Sequence, residues 1–126
     1  MSKPMSKPMS TTKNAAIGQA ADRLTQSLLD AEDAIRRLGL VATAKVQLTD
    51  TEVLRFGKWD GRWGFVLVRG EVESDPFAAT IALRVIIAKR IPDLVTALYV
   101  ANDQQLQEIA RVTDELDDFI NSLEVP

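Results

Sequence analysis

Asp60-Gly61 constrains this chain more than any other pair of residues, because it sits between two alternating apolar segments and is a strong short signal for a β-hairpin. A two-residue type I′ turn needs positive φ at both central positions, and Asp and Gly tolerate it. Counting outward pairs Trp59 with Arg62, Lys58 with Trp63, Gly57 with Gly64, Phe56 with Phe65, Leu54 with Leu67 and Glu52 with Arg69. One face of the hairpin then carries Leu54, Phe56, Trp63, Phe65 and Leu67, which need a roof of helices to leave water. The other carries Val53, Arg55, Gly57, Trp59, Arg62, Gly64, Val66 and Val68, a mixed surface expected to be half covered at best.

The segments around the hairpin complete an α+β fold. Upstream, Ile17, Ala21, Leu24, Leu28, Ala31, Ile35 and Leu38 recur at alternating steps of four and three, predicting a helix over 15–38. Asn14 can cap its start, and Gly39 after Arg36 and Arg37 can stop it. This stripe is expected to lie on the sheet; the alternative is packing against a symmetry mate. Residues 42–48 alternate as a first strand. The sheet is therefore read as a three-stranded antiparallel meander over 42–48, 52–59 and 62–70, whose third strand has a free edge able to pair with a second copy. Asp75-Pro76 predicts the start of a central buried helix to about Ile91, in which Arg84 needs a partner or a path to water. Pro92 predicts a break, and residues 92–123 follow as one further helix or two, with Asn102 a candidate cap. In outline, an N-terminal helix, the meander and two or three C-terminal helices pack on one sheet face.

Residues 1–14 repeat Met-Ser-Lys-Pro and carry three lysines and no acid, which predicts a disordered tail ahead of a single α+β domain over 15–126. The chain has 126 residues, enough to bury a core without covalent staples. There is no cysteine and no histidine. That removes thiolate chemistry and both the commonest general base and the commonest transition-metal ligand. No phosphate-binding glycine loop, nucleophile elbow or calcium-loop spacing is present. No enzyme activity, cofactor or metal is expected, and neither an apolar run of bilayer length nor a secretory leader is recognised, so the expected location is cytoplasmic.

Charge is unevenly spread beneath a net value of −3. Residues 102–126 hold seven acids against Arg111 alone, whereas residues 52–70 hold four cations against two acids. Two surfaces follow. Asp114, Glu115, Asp117 and Asp118 make a candidate acidic docking surface, competing with the plainer reading of a solvated helix face. Arg55, Lys58, Trp59 and Arg62 near the hairpin tip make a candidate partner-binding surface, an aromatic platform beside cations. The glycines Gly57 and Gly64 facing each other there are read first as room for close approach of a neighbouring element.

The helices bring more apolar surface than one face of a three-stranded sheet can cover. The sequence therefore predicts a non-catalytic protein-interaction module, a homodimer that also binds an unknown protein as an adaptor or chaperone-like factor. The alternative is an accessory nucleic-acid-binding protein working through Trp59 and Arg62, disfavoured by a pI near 4.9.

Overall fold

The computed structural model describes the backbone of residues 3–124 and the side chains of residues 15–124. The elements in order are α1 (Lys3–Arg37), β1 (Ala44–Gln47), β2 (Glu52–Trp59), β3 (Arg62–Arg69), β4 (Val72–Ser74), a 3-10 turn (Pro76–Ala78) and α2 (Ile81–Glu124). α1 starts at Lys3 and runs through Asn14, which therefore does not cap it; the side chains of residues 1–14, expected as a tail, lie outside the described residues.

The hairpin forms in the predicted register, from Glu52 opposite Arg69 to Trp59 opposite Arg62. Asp60 has φ 51° and Gly61 φ 80°, the double positive value of a type I′ turn. β1 joins antiparallel on the far side of β2, with Val46 opposite Leu54 and Ala44 opposite Phe56. Period-two alternation thus places Ala44, Val46, Leu54, Phe56, Phe65 and Leu67 on one face. Phe56 and Phe65 meet edge to face across the strands, their ring centres 5.9 Å apart.

The sheet has four strands, not three. Residues beyond Gly70 fold back instead of extending β3: Gly70, at φ 61°, opens a second two-residue turn, and Arg69 pairs with Val72. A positive φ at the first central position only is the type II′ pattern, which glycine there supports. The strand order is β1-β2-β3-β4.

Two helices roof the apolar face. α2 lies over β1 and β2, and α1 lies over β3. The helices run side by side in the same direction: Arg84 meets Thr25 near the start of α2, and Asn102 accepts a hydrogen bond from the Val41 N–H at 3.0 Å, just past the end of α1. The core joins Leu28 and Ile35 of α1 and Leu83, Ile87, Leu94 and Leu98 of α2 to Val46, Leu54, Phe56, Phe65 and Leu67. α1 ends as its sequence predicts, at Gly39 with φ 68° after Arg36 and Arg37.

The C-terminal part of the chain departs from expectation in three ways. Asp75 accepts from the Phe77 N–H with Pro76 at the first turn, as predicted, but this cap opens only the short 3-10 turn; α2 starts at Ile81, where the Thr80 hydroxyl accepts from Leu83 N–H. Pro92 breaks nothing: α2 is one helix of 44 residues with Pro92 inside it. An internal proline costs about 3 kcal/mol. Leu83, Ile87, Leu94 and Leu98, all buried, lie on both sides of it along one apolar seam. Each is worth about 1.5–3 kcal/mol, so leaving the sheet at residue 92 would cost more than the proline does. Asn102 caps no new helix, because its side chain is committed to Val41.

The third departure is one of packing. Only the first half of α2 lies on the sheet, whereas every residue from Asp103 to Glu124 is exposed. The expected layer of two or three packed C-terminal helices is a single helix that covers the sheet and then projects beyond it.

Candidate functional site

Among the described residues, Glu32 is the one charged side chain that is fully buried. It lies on α1 between Leu28 and Ile35, and its carboxylate reaches the outer edge of β3. There Oε2 accepts from the Phe65 N–H at 2.8 Å, and Oε1 accepts from Arg62 at 3.3 Å and from Arg36 at 3.4 Å. One turn further along, Arg36 donates to the Trp63 carbonyl at 3.2 Å. β4 pairs with β3 only at Leu67, Val68 and Arg69. Glu32 and Arg36 therefore serve the next outward-pointing backbone groups, those of Phe65 and Trp63, in place of a strand.

This arrangement corrects the expectation of a free third-strand edge. β4 and the Glu32–Arg36 pair occupy it, so edge-to-edge pairing through β3 is closed. It also explains Gly64. A Cβ at that position would lie 2.4 Å from Glu32 Oε2, so the room reserved by the glycine holds a carboxylate and not a helix backbone.

The hairpin-tip residues do not form one cluster. Arg55, Trp59 and Arg62 share the face turned away from the helices, while Lys58, paired with Trp63, points to the opposite side. Both arginines are engaged: Arg62 with Glu32 at 3.3 Å, and Arg55 with Glu73 of β4 at 2.5 Å. The Arg55–Glu73 bridge spans β3, and Val66, directly opposite Arg55, is fully buried. Beside it a shallow groove of about 430 Å³ is lined by Lys45, Gln47, Val53, Arg55, Val68 and Glu73. It is a mixed surface in which Arg55 and Glu73 are paired with each other, and it brings no nucleophile beside a base.

Asp114, Glu115, Asp117 and Asp118 all stand exposed on the projecting half of α2. Glu115 is bonded to Arg111 at 2.6 Å, and Arg111 also grips Glu108. The hydrogen bond from Arg111 and then its charge hold the Glu108 carboxyl below the usual carboxylate range. In so exposed a setting such a pair adds little to stability. Among the described residues no group of carboxylates has the arrangement of a metal site, and no helix is long and apolar enough to cross a membrane.

The opposite face of the same arm is its more unusual feature. Leu106, Ile109, Val112, Leu116, Phe119, Ile120 and Leu123 fall on one side, and each is between 43% and 69% exposed. At 1.5 Å per residue, residues 103–124 extend about 33 Å. A continuous apolar strip of that length on a surface marks an interaction site more often than a solvated helix. Tyr99, about half exposed, lies beside its edge toward the sheet, with Leu38 and Val41 at the end of α1 also exposed.

No protein family, curated protein or solved structure matches this chain.

Proposed function

We propose that the protein is a non-catalytic interaction module, in which the four-stranded sheet and its two helices form a rigid base and residues 103–124 of α2 form the docking element. The observation that carries this reading is the apolar strip from Leu106 to Leu123, exposed along its whole length on the half of α2 that projects beyond the sheet. Helices in proteins owe most of their stability to packing of an apolar face, and this stretch has no such packing within its own chain. A partner that buries the strip supplies the packing, and the acids on the opposite side keep the assembled surface hydrated. A cytoplasmic adaptor or chaperone-like role belongs to the same reading.

The test is to compare the wild-type chain with Ile109→Asp and Leu116→Asp, both distant from the core. Light scattering and affinity retention from a lysate of the native cell are expected to show an assembly with wild type that both substitutions remove. Identical behaviour of the three chains, each a monomer retaining nothing, overturns the proposal.

A further inference from the structure

Resting on that reading, we infer that the occupant of the arm is a second copy of this chain, and that the two arms pair antiparallel about a two-fold axis passing between Asp114 and Glu115. The spacing of the strip supports self-pairing. Written as heptads, Leu106, Thr113 and Ile120 take one seam position and Ile109, Leu116 and Leu123 the other, with Val112 and Phe119 widening the strip on one flank. Laid antiparallel about that axis, Leu106 meets Leu123 of the other copy, Ile109 meets Ile120, and Thr113 meets Leu116, so one register places seam residues against seam residues along the whole arm.

The flanks decide the direction. In an antiparallel pair like flanks face each other, so Val112 packs on Phe119 of the other copy and both leave water. In a parallel pair the same residues face Asp117 and Glu124, leaving two large apolar side chains against carboxylates. Antiparallel pairing also opposes the two helix dipoles and places the two bases at opposite ends of the arm, clear of each other. Glu108, Asp114, Glu115 and Asp118 lie behind the seam in either case; the like-charged flank contact, Asp103 with Glu124, falls at the solvent-exposed ends, where screening is strong.

The surface is of sufficient size. Two strips about 33 Å long on helices about 10 Å across bury an area near the lower end of the ~1,200–2,000 Å² typical of specific interfaces. The expected complex is thus a dimer that dissociates on dilution.

The experiment uses the full chain, whose lack of cysteine makes introduced thiols unambiguous. Light scattering from about 1 to about 200 µM is expected to report a monomer–dimer equilibrium, and Leu116→Asp is expected to weaken it at least about 100-fold. Leu106→Cys and Leu123→Cys chains are then oxidised separately and mixed. Antiparallel arms give disulfides only in the mixture, since like positions lie about 25 Å apart along the axis. Disulfides within each separate preparation overturn the antiparallel arrangement, and a strict monomer across the concentration range overturns self-pairing. If that monomer nonetheless holds another protein through Leu116, the interaction module stands and only its occupant changes.

Discussion

The carboxylate of Glu32, on α1, accepts the backbone N–H of Phe65, on β3, at 2.8 Å, with both residues buried. Removing the acceptor strands that N–H and withdraws the partner of Arg62. Glu32→Ala is expected to lower stability by about 2–4 kcal/mol, the range for orphaning a buried donor and breaking a charged network. Glu32→Gln keeps an acceptor oxygen and should lose about half as much. Urea midpoints of the two variants check the order.

Gly64→Ala places a methyl group into the space of the same carboxylate. It is expected to cost about 1–3 kcal/mol. Gly57→Ala is the comparison, because there the nearest neighbours are the end of the Arg55 side chain at 2.8 Å and the Thr43 methyl at 3.0 Å, with no buried carboxylate in the way. A double-mutant cycle of Gly64→Ala with Glu32→Ala should be strongly non-additive, as the second substitution removes the obstacle. Additive losses would show that the glycine is required for another reason.

Gly70→Ala forces a Cβ onto a residue at φ 61°. The strain should lower stability by about 1 kcal/mol, and Gly70→Asn should recover part of it. Hydrogen exchange locates the effect: protection at the backbone groups of β3 that pair with β4 should fall, while the β2–β3 ladder stays protected.

Pro92→Ala should stabilise the protein. Pro92 is exposed, so little packing is lost, and alanine restores an N–H to the helix; the expected gain is about 1–3 kcal/mol. A loss in thermal unfolding would mean that the proline bend fits α2 to the sheet.

Much of this fold was legible because local chemistry and long-range packing agree. Asp60-Gly61 dictates a turn that strand alternation on both sides accepts, so register and core face follow from counting. Gly70-Glu71 carries a weaker signal, a single glycine ahead of a three-residue strand, and reads equally well as a strand continuing. Pro92 suggests a boundary that the structure lacks, and Asn102 leaves one helix or two open, because burial of Leu94 and Leu98 and the bond to Val41 are tertiary facts. Glu32 had a signal that went unused: it lies four residues after Leu28 and three before Ile35, a carboxylate within the buried stripe of α1. Such a charge needs a donor nearby, and the open backbone of β3 provides one. The strip on the last helix was visible as a pattern, but its exposure depended on where α2 leaves the sheet.

Because Pro92 does not divide α2, Ile87 in the core and Leu123 at the far tip belong to one stiff rod. Force applied to the tip is delivered to the roof of the sheet without a hinge to absorb it, so the molecule is built as a lever whose fulcrum is its own hydrophobic interior.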